Sequence, residues 1–198
     1  MKRKIKLIGV YDYTVILTYS SLFAAVAGLL WAVEGRFSLS VFCLMASGIC
    51  DAFDGIVARS KKDRTGDEKA FGIQLDSLCD VVSFGFYPAC LCWLLGMDGI
   101  AGLAVACTYC LCAVARLAFF NVLEGKRQQQ ESGCAKSYRG LPVTTISMLL
   151  PPVYLLRPVM GAEAFALLLY PLMLLVAFLF VLDFSVPKPD WKKILTGK

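Results

Sequence analysis

The chain has 198 residues, of which 58% are hydrophobic and 18% are charged, and its formal net charge is +5. Its mean hydropathy of +0.67 is high, and its charged fraction is below the roughly 25% that soluble domains carry. The composition therefore predicts an integral membrane protein and argues against a soluble globular domain.

Six apolar segments have about the 20 residues that a helix needs to cross the hydrocarbon core of a bilayer. They lie at residues 14–33, 38–58, 74–96, 99–123, 142–160 and 162–182. We therefore expect an all-α membrane fold of six transmembrane helices that forms a single domain over residues 1–198. The basic start, MKRKIKLIGV, predicts a short interfacial helix before the first span.

Basic residues mark the connections that face the cytoplasm. They cluster before the first span, in the links 60–71 and 124–141, and after the last span, whereas the opposite side has only Arg36 and Arg157. Both termini are therefore predicted to be cytoplasmic, in a protein of the cell membrane. The positive charge then faces anionic lipid headgroups, so we expect no nucleic acid partner.

The positions of proline and cysteine and the lack of histidine give further expectations about helix shape, packing and proton transfer. Pro151 and Pro152 lie near the middle of the fifth span and predict a kink, which either serves packing or opens a cavity. All cysteines except Cys134 fall within spans, where Cys behaves as a small apolar residue, so we expect them to pack. The chain has no histidine, so any proton transfer must use carboxylates, Lys, Tyr or water.

Four aspartates lie on or beside the second and third spans, where charged side chains are costly and usually face a polar interior. Asp51 and Asp54 share one face of the second span. Asp76 and Asp80 share one face of the third span with Gly72. Both faces lie near the cytoplasmic ends of their helices, so the carboxylates should converge around a cation. Ligands that are all oxygen favour one or two Mg²⁺ or Mn²⁺ ions.

Small and basic residues accompany these aspartates. Gly55, Ala58 and Gly72 remove side-chain bulk, which allows either a substrate or a neighbouring helix to approach the backbone closely. Arg59 follows them and can hold a phosphate while its aliphatic stem lies along the interface.

Together these residues resemble the signature of the CDP-alcohol phosphatidyltransferases. In this chain the signature reads Asp51-x2-Asp54-Gly55-x2-Ala58-Arg59-x12-Gly72-x3-Asp76-x3-Asp80. The six predicted spans are also similar to that family, so the resemblance covers nearly the whole chain. It implies a membrane enzyme, generally a homodimer, that moves a phosphatidyl group from a CDP-linked lipid to an alcohol and releases CMP.

The resemblance implies a role for each matched position. The metal ligands would be Asp51, Asp54, Asp76 and Asp80. The residues that border or orient the CDP-linked lipid would be Gly55, Ala58, Gly72 and Arg59. Asp80 would also take the proton of the acceptor hydroxyl as general base. Many relatives have an Asn-x-x-Thr pattern in the first span, whereas here Thr18 is present and Val15 occupies the Asn position. This departure weakens the assignment of a nucleotide contact in the first span, for which Thr14 could substitute.

Three further segments resemble the phosphatidylserine synthase branch of the family: QLDSLCDVVSFGFYPA (74–89), ARLAFFN (115–121) and YRGLPVTT (138–145). This resemblance implies CDP-diacylglycerol as donor and L-serine as acceptor. The polar residues of these segments that would line the acceptor pocket are Ser83, Arg116, Asn121, Arg139 and Thr144. For Arg116, an ion pair with the aspartates is the alternative to contact with the serine carboxylate or a donor phosphate. For the other four residues, ordinary helix or loop contacts are the alternative.

Two other functions remain open from the sequence. The same chemistry with glycerol phosphate or inositol phosphate would need a basic cluster near Asp80, to which Arg116 and Arg139 would contribute. A cation transporter would also use intramembrane aspartates, but it usually has related halves and broken helices around a site at the midplane. The sequence contains no evident internal repeat.

Overall fold

Helices make up most of the chain in the computed structural model, which describes residues 9–61, 63–129 and 137–187. The α-helices are α1 (Ile16–Val33), α2 (Phe37–Ser60), α3 (Gly66–Asp80), α4 (Tyr87–Leu94), α5 (Gly99–Gln129), α6 (Ile146–Tyr154), α7 (Arg157–Met160) and α8 (Ala162–Val181). The remaining elements are 3-10 turns at Tyr13–Val15 and Val143–Thr145, a π-helical segment at Val81–Phe86, and the strands β1 (Ser137–Arg139) and β2 (Ser185–Pro187).

Five stretches of the described chain are long and apolar enough to cross a membrane. They are Tyr13–Val33, Phe37–Ser60, Gly66–Leu94, Gly99–Gly125 and Ala162–Val181. These stretches correspond to five of the six predicted spans and fit a membrane protein. The interfacial helix predicted for the first ten residues falls largely on positions 1–8, which lie outside the described residues.

The fifth predicted span, 142–160, differs from the expectation. Its apolar helix is short, Val143–Tyr154, and α7 follows after a turn at Leu155 and Leu156. Pro151 and Pro152 lie inside α6, and each proline ring removes a backbone donor and crowds the preceding turn. The proline-containing segment therefore forms two short helices, α6 and α7, instead of one long kinked helix. The number of six membrane crossings stays a prediction.

Helix α3 begins earlier than the predicted start at residue 74. Thr65 caps it, since Thr65 Oγ1 accepts from the Glu68 backbone N–H at 3.2 Å and Glu68 Oε2 accepts from the Thr65 N–H at 2.9 Å. This reciprocal capping box can be recognised in the sequence as T-x-x-E. A hydropathy profile does not detect the start of α3, because the first turns of the helix are polar. The link that we expected over 60–71 is therefore only about five residues long, and α5 similarly runs past the predicted end at 123, to Gln129.

Packing pairs α1 with α2, α5 with α8, and α2 with α6. Short polar contacts join the helices inside this apolar interior. Ser21 Oγ lies 2.7 Å from Ser47 Oγ between α1 and α2, and Tyr87 Oη donates to the Ser40 carbonyl at 2.5 Å between α4 and α2. The cysteines of the described chain are free thiols, as expected of residues that pack.

The π-helical segment Val81–Phe86 follows Asp80 directly and is held by α5. Tyr109 Oη donates to the Phe84 carbonyl at 2.7 Å, and Cys110 Sγ donates to the Gly85 carbonyl at 3.7 Å. A π turn disturbs the regular backbone ladder and frequently marks a functional site. Helix α5 supplies partners for the displaced carbonyls and thereby fixes the backbone beside Asp80.

The structure contains a two-stranded antiparallel ribbon, which the prediction of an all-α fold did not include. Strand β1 pairs with β2, with Tyr138 opposite Val186, and the Gly140 N–H extends the pairing by donating to the Phe184 carbonyl at 2.7 Å. Strands of three residues are too short to produce a readable alternation of polar and apolar residues. The ribbon joins the residues just before the 3-10 turn at Val143–Thr145 to the segment that follows α8.

Candidate active site

Three carboxylates from two helices meet in the structure. Asp51 of α2 and Asp76 and Asp80 of α3 each place one oxygen within 4.8 Å of the others. Asp80 is only 8% exposed, and the other two are half-buried. Because Asp76 and Asp80 are four residues apart on a helix, their side chains point the same way and face Asp51 together.

Asp54 stands beside this trio rather than within it. It lies one turn beyond Asp51 on α2 and accepts a hydrogen bond from Thr18 Oγ1 of α1 at 3.1 Å. Its charge also acts on Asp51 and Asp76. Three helices therefore position the four aspartates of the signature, and the contribution of α1 comes through Thr18.

The four carboxylates fit a hard divalent cation. In the described part of the chain, the ion pairs join Arg36 to Glu34 and Lys61 to Asp12 and Glu68, so none compensates the four aspartates. Asp76 Oδ1 is buried and has no hydrogen-bond partner among the described residues. Clustered carboxylates repel one another unless a cation or protons lie between them, and an all-oxygen set suits Mg²⁺ or Mn²⁺.

A cavity of about 440 Å³ opens beside Asp54 and Asp76. Its wall contains all four residues of the signature that were predicted to bind the donor: Gly55, Ala58, Arg59 and Gly72. The rest of the wall is formed by Thr14, Val15, Thr18, Lys61, Arg64, Lys69, Ile73 and Glu124. The cavity therefore joins an acidic region to a basic one, and its volume is in the range of small-molecule and cofactor sites.

Sequence reasoning missed most of the basic wall. Lys61, Arg64 and Lys69 were used only to orient the predicted spans, because they fell in a presumed loop. The early start of α3 places them beside the end of α2 instead. The signal that would have found them is the T-x-x-E capping box at Thr65 and Glu68, which shortens the loop.

An ion-pair network ties this short link to the start of α1. Lys61 Nζ lies 2.9 Å from Asp12 Oδ2 and 3.2 Å from Glu68 Oε1. Thr14 donates to Asp12 Oδ1 through its hydroxyl and through its backbone N–H at 2.9 Å. The hydrogen bonds from Thr14 and Lys61 lower the pKa of Asp12 from 3.8 to about 2, and hydrogen bonds to Asp12 and Glu68 raise the pKa of Lys61.

Replacing Asp12 by Asn should lower thermal stability in a pH-dependent way. The folded-state pKa of Asp12 lies below its ordinary value, so its contribution is complete above that value of 3.8 and is lost as the pH falls toward 2. We expect the melting temperatures of wild type and Asp12→Asn to differ near neutral pH and to converge at about pH 2. Thermal unfolding in detergent, followed by tryptophan fluorescence, measures this, and a difference that persists at about pH 2 contradicts it. Asp63→Asn, at an exposed position of the same link, is the matched control.

The structure describes the side chains of four of the five residues predicted for the acceptor pocket. Ser83 is fully buried in the π-helical segment, and its hydroxyl has no partner among the described residues. Asn121 Oδ1 accepts from Ser77 Oγ at 2.7 Å and so joins α5 to α3. Thr144 is half-buried in the 3-10 turn before α6. Arg139 lies on β1, and its side chain falls outside the described part of the structure.

Arg116 faces a second cavity, of about 310 Å³, whose wall also contains Asp183 and Gly140. The residue is 8% exposed, and its Nε donates to the Leu141 carbonyl at 3.1 Å. The acidic residue whose charge acts on Arg116 is Asp183. The alternative of an ion pair with the clustered aspartates is therefore wrong within the described chain, because the fold turns this guanidinium toward the ribbon instead.

Apolar helices of membrane-crossing length, with clustered carboxylates beside a partly basic cavity, define a membrane protein with a candidate hard-cation centre. The chain belongs to the CDP-alcohol phosphatidyltransferase family, since the sequence model of that family matches residues 14–184. The matched region runs from α1 through α8 and contains the whole signature.

Curated relatives are similar over much of this chain. The CDP-diacylglycerol–serine O-phosphatidyltransferase of Saccharomyces cerevisiae is 32% identical over 152 residues, which are 74% of this chain and 54% of the yeast protein. The protein of the same name from Methanocaldococcus jannaschii is 36% identical over 145 residues, covering 73% of this chain and 60% of the relative. The archaetidylserine synthase of Methanothermobacter thermautotrophicus is 32% identical over 130 residues, which cover 64% of this chain and 51% of the relative. The matches thus span between half and three fifths of these relatives.

Proposed function

We propose that this chain transfers a phosphatidyl group from CDP-diacylglycerol to L-serine, giving phosphatidylserine and CMP. The observation that carries the proposal is the meeting of Asp51, Asp76 and Asp80 beside the 440 Å³ cavity that the signature residues line. Membership of the family supports the type of reaction. The names of the relatives and the three segments at 74–89, 115–121 and 138–145 support serine as acceptor.

In this proposal the donor nucleotide occupies the cavity. Gly55, Ala58 and Gly72 leave its wall free of side-chain bulk, and Arg59 orients the diphosphate toward Asp54 and Asp76. The residues that would hold Mg²⁺ or Mn²⁺, as one or two ions, are Asp51, Asp54, Asp76 and Asp80. When bound, such an ion neutralises the diphosphate and stabilises the charge that develops on the leaving CMP.

Asp80 is the general base of the proposed reaction. It accepts the proton of the serine hydroxyl while the hydroxyl oxygen attacks the lipid-linked phosphorus. The new phosphorus–oxygen bond joins serine to the phosphatidyl group, the bond from that phosphorus to the CMP oxygen breaks, and CMP leaves with the bonding electrons. Burial of Asp80 limits access of water to this carboxylate, which favours transfer to serine over hydrolysis.

Ser83 is the acceptor-pocket residue with the strongest structural support. It lies about one turn beyond Asp80, and its buried hydroxyl lacks a partner among the described residues. Buried hydroxyls are usually hydrogen-bonded, so a substrate group is a reasonable partner for it. Asn121, Thr144, Arg116 and Arg139 stay proposals for the rest of the pocket, and Asn121 would act there while bonded to Ser77.

Replacing Ser83 by Ala should raise the KM for L-serine about tenfold, since a hydrogen bond to a charged substrate group is lost. The donor KM should stay within about twofold of wild type. The melting temperature should not fall, because this hydroxyl gives up no hydrogen bond within the described protein. Ser47→Ala is the matched control, and because it breaks a buried contact with Ser21, it should lower stability and leave the serine KM unchanged. An unchanged serine KM in Ser83→Ala would remove Ser83 from the pocket.

We further propose six membrane crossings, with both termini and the active site at the cytoplasmic face of the cell membrane. The asymmetry of basic residues supports this orientation. Labelling of single cysteines in the link after α2, compared between intact cells and inverted vesicles, tests it. We also propose that the single domain, residues 1–198, forms a homodimer in the membrane, which the mass of the detergent-solubilised protein tests.

The decisive experiment follows CMP release by the purified protein with CDP-diacylglycerol, Mg²⁺ or Mn²⁺, and a panel of acceptors. We expect metal-dependent release with L-serine. Release with glycerol phosphate or inositol phosphate but not with serine overturns the acceptor. No metal-dependent release with any acceptor overturns the proposed enzyme, and metal flux into proteoliposomes would then favour a cation transporter.

A further inference from the structure

The basic side chains of the 440 Å³ cavity are not equally available to a ligand. They are Arg59, Lys61, Arg64 and Lys69. Lys61 is held between the carboxylates of Asp12 and Glu68, so its charge is already compensated within the protein. Arg59 and Lys69 are largely exposed to solvent. Arg64 differs from all three, because it is half-buried and its recorded hydrogen bonds are to backbone oxygens.

The guanidinium of Arg64 bridges the end of α2 and the start of α3. Its Nη1 donates to the Ala58 carbonyl at 3.4 Å and its Nη2 donates to the Glu68 carbonyl at 3.0 Å. Its Nε is buried and has no partner among the described residues, and no described carboxylate forms an ion pair with it. A partly buried cation with an unused donor is unfavourable unless an anion completes its contacts.

Both glycines of the signature lie under a guanidinium. A Cβ at Gly72 would lie 2.6 Å from Arg64 Nη2, and a Cβ at Gly55 would lie 3.2 Å from Arg59 Nη1. The missing side chain at Gly72 therefore makes room for the guanidinium of Arg64, and the missing side chain at Gly55 makes room for that of Arg59. One guanidinium therefore lies over Gly55 of α2 and the other over Gly72 of α3, and both arginines line the same cavity.

We propose that Arg64 is a second guanidinium that binds the diphosphate of the CDP-linked donor, together with Arg59. Gly72 precedes Asp76 by one helical turn, about 6 Å of axial rise, so Arg64 stands close to the carboxylates at the acidic end of the cavity. A guanidinium forms paired hydrogen bonds with two phosphate oxygens at once. The inference rests on the proposed function and gives Gly72 the role of positioning Arg64.

Replacing Arg64 by Gln tests the proposal, since it keeps a polar, flexible side chain but removes the guanidinium and its charge. The KM for CDP-diacylglycerol should rise at least about tenfold, while kcat and the serine KM stay within about twofold of wild type. The affinity for CDP, measured by calorimetry in detergent, should fall by a similar factor. Arg64→Lys should give an intermediate KM, because an ammonium keeps the charge but not the planar fork.

A double-variant cycle tests whether Arg64 acts from its position on Gly72. Gly72→Ala suits the helical backbone but displaces the flexible end of Arg64, so it should raise the donor KM as well. The donor KM of the variant that carries both changes should then be no higher than that of the more impaired single variant, because the two changes remove the same interaction. Gly66→Ala, on the same helix with open space around its Cβ, and Arg36→Gln, which is exposed, are matched controls with unchanged KM.

The outcomes separate this inference from the proposed function. Failure of the wild-type protein to release CMP with serine overturns the proposed function. If wild type is active and Arg64→Gln keeps a donor KM within about twofold, only the role of Arg64 is overturned. Losses that multiply in the double variant overturn the positioning by Gly72. Should Arg64→Gln fail to fold, Arg64→Lys replaces it in the same cycle, and a donor KM within about twofold of wild type in that variant overturns the role of Arg64.

Discussion

Replacing Asp80 by Asn is expected to lower kcat for CMP release at least about thousandfold, within the range attributed to general bases. The asparagine amide has nearly the same shape but cannot take the proton of the serine hydroxyl. Asp80 is buried beside Asp51 and Asp76, and it is not among the residues of the cavity wall. Binding of CDP, measured by calorimetry, should therefore stay within about threefold of wild type.

The matched control for Asp80 is Asp67→Asn, at an exposed position in the first turn of the same helix. It makes the same chemical change about three and a half turns away and should leave kcat unaltered. Turnover by Asp80→Asn at a rate near that of wild type would show that Asp80 is not the base. Loss of CDP binding together with turnover would instead assign Asp80 to donor binding.

Replacing Asp76 by Asn should maintain or raise the stability of the metal-free protein and reduce the stabilisation that Mn²⁺ provides. Without metal, the variant should be at least as stable as wild type, because one of several mutually repelling carboxylates is gone. With saturating Mn²⁺, wild type should gain about 5–10 °C in melting temperature while the variant gains little, since an ion that binds only the folded state stabilises it. CMP release by the variant should be lost at metal concentrations that saturate wild type.

Melting curves in EDTA and over a series of Mn²⁺ concentrations measure this response without relying on catalysis. Asp63→Asn, on the link outside the cluster, is the control and should respond to Mn²⁺ as wild type does. The hypothesis of a metal centre fails if Asp76→Asn is stabilised by Mn²⁺ as strongly as wild type. Asp76 is the most informative position because its Oδ1 is buried without a partner in the described chain.

The limits of sequence reasoning are clearest at Arg64 and Arg116. The sequence places Arg64 in the predicted link 60–71 and Arg116 inside the predicted span 99–123, and hydropathy does not tell which groups either side chain contacts. The structure separates them, since Arg64 lies on Gly72 in the cavity beside Asp76, whereas Arg116 faces Asp183 in another cavity. Asp183 is distant from Arg116 in the chain, and only the packing of α5 against α8 brings them together.

The sequence by itself determined the apolar helices and the helical faces that carry the aspartates. Segment length and the spacing of Asp51, Asp54, Asp76 and Asp80 are local properties, set by the rise and turn of an α-helix. Only the tertiary structure decided that Asp51 meets Asp76 and Asp80, and that Thr18 holds Asp54. It also decided which basic residues share their cavity. These are contacts between helices, and they depend on how side chains from distant segments pack, which no local periodicity records.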